Sequence, residues 1–333
     1  MHYFCNKMIT RTSIFIRTAQ AANAIKVCLS YLLSATLHRD LRLGMPLSAS
    51  IEPANYCNLH CVQCPTGLGM ITKKTSLLSL ENFRKAIDVL TPELIYLTLY
   101  FQGEPTLNKD LPEMVRYATE KGVFTSVSTN GHFLDMNTCV KLKDAGLSHL
   151  IVSLDGANEE SYRRYRRGGD FKKVIEGITN AAKSGLKVEL QCLLLSSTEN
   201  QRDEIKALGD KLGVWKTTFK TAQFYNSDSL MPADEKNSRY KKGSLTIKRK
   251  LHNRCWRVIS GIVITTDGEI LPCCFDKDCA HSYGNLFKTG TTKEALCGIL
   301  HSQKASDFIN TVFRNRRRCL TNGRWHTKSS STP

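Results

Sequence analysis

Cys57-Asn-Leu-His-Cys61-Val-Gln-Cys64 places three thiols within eight residues, and Pro65 follows at once. Thiolates are soft ligands that select iron–sulfur clusters or zinc. A closed structural site takes four protein ligands. Three cysteines therefore point to a four-iron cluster with one iron left open for a substrate or cofactor. Zinc uses similar spacings, so a Cys3His site with His60 as fourth ligand is the competing reading. His60 directly precedes Cys61, which would turn its ring away from the sulfurs. Immediately upstream, Leu47–Glu52 reads as a strand, so the thiol loop is expected where a strand ends.

Outward from that point, strands and helices alternate. Helical periodicity marks Leu80–Leu90, Leu111–Lys121, Cys139–Ala145, Phe171–Lys183 and Asn200–Lys211. Apolar β-rich runs mark Leu94–Phe101, Val123–Ser128, His149–Leu154, Leu186–Leu195 and Val214–Thr221. Gly122, Gly146, Gly185 and Gly213 serve as helix stops. Six βα units of this kind predict an α/β fold, a partial (β/α)6 barrel with a parallel sheet. Active residues then belong at the C-terminal ends of the strands, where the βα loops gather.

The polar residues fit that expectation. The second strand runs into Gln102-Gly103-Glu104-Pro105, the third into Ser128-Thr129-Asn130-Gly131, and the fourth into Ser153-Leu154-Asp155-Gly156. Gln191, Lys220 and Gln223 follow on the fifth and sixth. Taken singly, Asn-Gly and Asp-Gly are turn chemistry. Together with a metal loop on the same rim they describe an active site.

This combination resembles the radical S-adenosylmethionine (SAM) enzymes over residues 47 to about 225. The resemblance implies a [4Fe-4S] cluster on Cys57, Cys61 and Cys64, its open iron chelated by the amino and carboxylate groups of SAM. Gly103 and Glu104, with Pro105 beside them, sit where the family binds that amino group. Ser153 and Asp155 sit where the ribose is contacted, and Asn130 lines the pocket. The implied activity is reductive SAM cleavage to a 5′-deoxyadenosyl radical that takes hydrogen from a substrate, served by a flavodoxin- or ferredoxin-like electron donor. Gln63 departs from the pattern, since an aromatic residue often packs near the adenine there.

Beyond a basic linker at 226–250, read as a solvated connection, Gly261–Thr266 and Leu271 onward form a hairpin around Asp267-Gly268. Cys255, Gly268 and Cys273 keep a Cys-x12-Gly-x4-Cys spacing. It resembles the SPASM and twitch extensions, which hold auxiliary [4Fe-4S] clusters, and implies Cys255, Cys273 and Cys319 as ligands. Arg316 stands where such domains usually have the first cysteine of a Cys-x2-Cys pair. Cys274 and Cys279 are the alternatives for a fourth ligand. The expected organisation is therefore a basic helical extension at 1–45, a core at 46–225, the linker, a small cysteine-containing α+β extension at 251–325, and a tail.

The 13 cysteines show no even framework and read as metal-binding in a reducing, cytoplasmic setting. Cys5, Cys28, Cys139, Cys192 and Cys297 carry no motif and are expected as small buried hydrophobes. Arg163, Arg164, Arg166 and Arg167 read as an exposed helix end. Residues 1–45 carry Lys7, Arg11, Arg17, Lys26, Arg39 and Arg42 against Asp40 alone. Ala19–Leu37 is too interrupted for a membrane span. A helix packed on the main domain is expected there, with an interfacial amphipathic helix or an organelle transit peptide as alternatives.

Peptide or protein maturation is the leading function, with oxidation of a small molecule beside it. The net charge of +17 raises an RNA-modifying alternative, which steep salt dependence of binding would mark. A non-catalytic zinc or iron–sulfur module is the third reading, and turnover of SAM excludes it.

Overall fold

The computed structural model describes residues 2–71, 73–225, 229–248, 254–314, 317–319 and 325–327. Helix α1 (His2–Leu37) precedes β1 (Ser48–Ile51), the strand that feeds the cysteine loop. Alternation follows as α2 (Leu80–Leu90), β2 (Tyr96–Leu99), α3 (Leu111–Glu120), β3 (Phe124–Thr129), α4 (Met136–Asp144) and β4 (His149–Ser153). It continues through α5 (Glu159–Tyr165), α6 (Phe171–Lys183), β5 (Val188–Leu194), α7 (Arg202–Lys211) and β6 (Lys216–Thr221). The C-terminal part adds α8 (Arg257–Ser260), β7 (Gly261–Ile264), β8 (Glu269–Leu271), β9 (Gly284–Asn285), α9 (Leu286–Thr289), α10 (Lys293–Leu300) and α11 (Gln303–Phe313). Two short strands, β10 (Arg317–Cys319) and β11 (Trp325–Thr327), pair with each other.

Strands β1 to β6 are parallel neighbours in chain order, the open six-unit βα barrel the periodicity predicts. Local chemistry explains the elements. Ser79 caps α2 by accepting from Asn82 N at 3.2 Å, and Phe83, Ala86, Ile87 and Leu90 repeat at helical spacing on its buried face. Gly122, at φ +77°, adopts the left-handed conformation that ends α3. Helix α4 begins three residues before the expected Cys139, because Asp135 accepts from Thr138 N and caps it there. The periodicity does not mark α5, a two-turn helix started by a capping box of Asn158 and Ser161.

The C-terminal extension is not a separate layer. Strand β7 pairs parallel with β1, Ser48 to Ile51 against Gly261 to Ile264, and one nine-stranded sheet runs β6-β5-β4-β3-β2-β1-β7-β8-β9. Ala49 and Ile51 are thereby buried between the β2 and β7 neighbours, and the edge that β1 would otherwise expose is paired.

The linker reading needs correction over residues 229–248. Tyr240 is buried, bridges to Ile247, and packs edge-on against Phe224 at 5.7 Å. It belongs to the apolar cluster of Leu59, Cys61, Tyr165 and Leu195, so this segment braces the cysteine loop. Cys139 and Cys192 are buried as expected and Cys297 is half-buried, whereas Cys28 is exposed on the outward face of α1. The side chains of Cys5 and Cys319 lie outside the described residues, as do Arg316 and the tail beyond Thr327. Among the described residues no helix is long and apolar enough to cross a membrane.

Candidate active site

The C-terminal ends of β1 to β4 surround a cavity of about 730 Å³ lined by Cys57, Cys61, Cys64, Gly103, Glu104, Asn130, Ser153 and Asp155. The cysteine loop is fixed by backbone pairing with the segment after α5. His60 N donates to Arg167 O at 2.9 Å and Val62 N to Tyr165 O at 3.1 Å. Burial pushes the Cys57 thiol up to about 11 and Cys61 up to about 12. Without a metal both are therefore protonated at neutral pH, and a metal must displace those protons to bind. His60 is exposed beside Gly168 rather than among the sulfurs. Among the described residues no three His, Cys, Asp or Glu side chains are grouped to hold a single ion.

Gly103 makes a close backbone contact on the rim. A Cβ there would stand 2.3 Å from Ala54 O and 2.5 Å from Tyr56 O. Only glycine lets β2's loop lie against the chain entering Cys57, with Glu104 N donating to Tyr56 O at 2.9 Å. The Glu104 carboxylate is buried and accepts from Thr106 N, Thr106 Oγ1, Thr129 Oγ1 and Asn130 N, the last two at 2.6 and 2.7 Å. Burial raises its pKa, and these hydrogen bonds oppose the rise. Asn130 passes the order on, donating through Nδ2 to Asn58 Oδ1 at 2.8 Å, with the Cys57 sulfur 3.6 Å away. Pro105 sits at the start of the short turn Pro105–Leu107 behind this rim and does not line the cavity.

Asp155 is fully buried and both of its oxygens are engaged. Oδ1 accepts from Leu193 N and Oδ2 from Arg166 Nε, each at 2.6 Å. Arg166 therefore departs from the exposed arginine cluster expected at 163–167. Its side chain turns inward over the Tyr165 ring, and Nη1 reaches to 3.8 Å from the Cys61 sulfur. Arg163, Arg164 and Arg167 remain exposed, as expected. The signal was Tyr162, buried one helical turn earlier, which sets the inward face of α5.

Gln63, the departure from the aromatic pattern, is buried and accepts from Tyr225 N at 2.8 Å. Cys273 and Cys274 line the same cavity as the first three thiols, and Arg257 Nη1 stands 3.6 Å from the Cys274 sulfur. Cys255 packs on the main core, whereas Cys274 and Cys279 pack against Phe101, Val263 and Leu271.

Glu52, at the end of β1, is buried with Oε1 unpartnered, and burial raises its pKa from 4.5 to about 7. The folded chain thus holds a proton that the unfolded chain releases between these values. Stability falls as pH rises through that window and levels above it. Glu52→Gln removes this loss. The variant should match the wild type near pH 4 and exceed it by on the order of 3 kcal/mol above pH 7, read by urea denaturation. A pH-independent difference would contradict the assignment.

A family model described as the radical SAM superfamily matches residues 51–208, and one described as an iron–sulfur cluster-binding domain, SPASM, matches residues 255–321. Residues 51–208 thus form a radical SAM superfamily domain, and residues 255–321 a SPASM domain. It is 38% identical over 156 residues to Fe-coproporphyrin III synthase of Methanosarcina barkeri, covering 47% of this chain and 38% of that protein. It is 29% identical over 172 residues to the mycofactocin maturase MftC of Mycolicibacterium smegmatis, covering 51% and 43% respectively. The chain spans less than half the length of these two curated relatives. Among solved structures, Streptococcus suis SuiB bound to precursor peptide SuiA matches with a TM-score of 0.64 at 15% identity, over 84% of this chain and 70% of that one, a likeness of fold.

Proposed function

We propose that this protein is a radical SAM enzyme that modifies a peptide or protein substrate. The observation that carries the reading is the meeting of three thiols with Gly103, Glu104, Asn130, Ser153 and Asp155 at one cavity. Cys57, Cys61 and Cys64 would hold the [4Fe-4S] cluster, leaving one iron to the methionine moiety of SAM. When bound, the cluster and SAM supply a 5′-deoxyadenosyl radical; the protein's part is orientation and exclusion of water.

Glu104 would take the amino group of SAM. Its carboxylate is already immobilised by four hydrogen bonds, so little ordering remains at binding. Ser153 and Asp155 would take the ribose, with Asp155 sharing Oδ2 with Arg166. Cys255, Cys273 and Cys319, with Cys274 or Cys279, would hold an auxiliary cluster within residues 251–325, beside the core at 46–225. A flavodoxin- or ferredoxin-like protein would deliver the electron in a reducing cytoplasm. Support for a peptide substrate comes from MftC, named a maturase, and from SuiB, solved with its precursor peptide.

A second reading is a small carboxylated substrate, as the coproporphyrin synthase name suggests. The cavity wall favours it in one respect. Lys220, Arg239, Arg257 and Lys277 line it, and none is among the ion pairs of the described residues.

Anaerobic reconstitution with iron and sulfide, followed by reduction and SAM, tests the proposal. About four irons per chain with 5′-deoxyadenosine formed is the expected minimum, and about eight would support both cysteine groups. Bound zinc with no 5′-deoxyadenosine would refute the enzyme reading.

A further inference from the structure

Helix α1 faces the wrong way for a water-exposed helix. By the 3.6-residue repeat, Asn23, Val27, Ser30 and Ser34 lie on one face, and that face is buried. Its polar groups hold the returning chain. Asn23 exchanges two 2.9 Å hydrogen bonds with the Met45 backbone, Ser30 Oγ accepts from Leu43 N, and Ser34 Oγ accepts from Leu41 N. The opposite face carries Ile25, Leu29, Leu32 and Leu33, exposed by 64%, 47%, 58% and 40%, with Phe15 and Leu37 on its flanks at 65% and 55%.

A surface helix normally turns its apolar stripe to the core and its polar residues to water. Here the serines and asparagine are inside and the leucines outside. Contiguous apolar surface of this kind marks a site of contact. Six of the large apolar side chains exposed among the described residues fall on this single helix.

The surrounding charge selects the occupant. Residues 1–39 contain no aspartate or glutamate. Arg17, Lys26 and Arg39 are exposed along the helix and just past its end. The first acid, Asp40, is bound to Arg42 at 2.7 Å and offers no counter-charge. An apolar stripe on a helix whose own charged side chains are all cations suits an anionic lipid surface, where leucines enter the acyl boundary and arginines and lysines meet the headgroups.

We infer that the outward face of α1 docks the protein on an anionic membrane surface, lying in the interface without crossing it. This goes beyond the proposed reaction and does not depend on it, since the helix stands outside the SAM cavity.

Vesicle cosedimentation of the full-length protein, with and without its clusters, tests the inference. Phosphatidylcholine vesicles are compared with a phosphatidylcholine–phosphatidylglycerol mixture at low and high salt. The wild type should bind the anionic vesicles and lose affinity with salt. Leu29→Glu/Leu32→Glu should bind at least about tenfold more weakly. Lys26→Glu/Arg39→Glu should weaken binding to anionic vesicles alone. Both variants change outward side chains, so their thermal unfolding should match the wild type. Absence of vesicle binding by the wild type overturns the inference, as does a lipid-free dimer that Leu29→Glu/Leu32→Glu dissolves while vesicle binding is unchanged.

Discussion

The triple variant Cys57→Ala/Cys61→Ala/Cys64→Ala is expected to form no 5′-deoxyadenosine and to bind about four fewer irons per chain than the wild type. All three thiols line the cavity, and burial holds Cys57 and Cys61 protonated until a metal displaces their protons. With the thiols gone, no soft donor remains in that loop. The fold itself should survive. Buried cysteine behaves as a small hydrophobe, so each truncation costs about 1 kcal/mol. The loop is held by backbone bonds to Tyr165 and Arg167 that alanine keeps. Loss of activity with a cooperative unfolding transition, lowered by no more than the roughly 3 kcal/mol that three such truncations cost, therefore separates loss of the centre from loss of the protein. Any cluster held by the C-terminal cysteines should persist in this variant as residual iron. Continued 5′-deoxyadenosine formation would remove the assignment of this loop.

The repeated βα units were legible because their signals are local. Helix α6 occupies the expected Phe171–Lys183, its buried Val174, Ile178 and Ala181 reading directly from the sequence at helical spacing. The convergence of Gly103–Glu104, Asn130 and Ser153–Asp155 followed from one geometric rule, that parallel strands deliver their C-terminal loops to a single rim. What stayed hidden depended on pairs far apart in sequence. The match of β7 to β1 joins Gly261 to Ser48, and nothing in either tetrapeptide names the other. Tyr240 looked like part of a solvated basic run, and only the fold places it on Phe224. The inversion of α1 was hidden for a different reason. Both of its faces contain apolar residues, so the sequence shows a helix without showing which side the protein keeps.

The inward turn of Arg166 carries the second large effect. Arg166→Met is expected to destabilise the protein by about 3–5 kcal/mol, the cost of breaking a buried ion pair by removing one partner. Asp155 has 1% of its side chain exposed and Arg166 14%, so the carboxylate left behind would be poorly hydrated. Leu193 N would still serve Oδ1, leaving Oδ2 without its present donor. The same change removes the contact with the Cys61 sulfur and the stacking on Tyr165, so iron uptake should also weaken. Pairing it with Asp155→Asn removes the stranded charge, and the double variant should recover a substantial part of the lost stability. Arg166→Lys should fall between, because an ammonium keeps the charge but not the planar fork that reaches Asp155 and Cys61 together. Urea denaturation of the wild type and these three variants in the iron-free state reads these differences without reference to catalysis. If Arg166→Met unfolds at the wild-type midpoint, the pair contributes nothing to stability and Arg166 is free to serve a bound ligand instead. If it is destabilised and Asp155→Asn rescues it, Asp155 and Arg166 act as one unit, fixing the end of α5 and, through Tyr165 and Arg167, the loop that carries the cysteines.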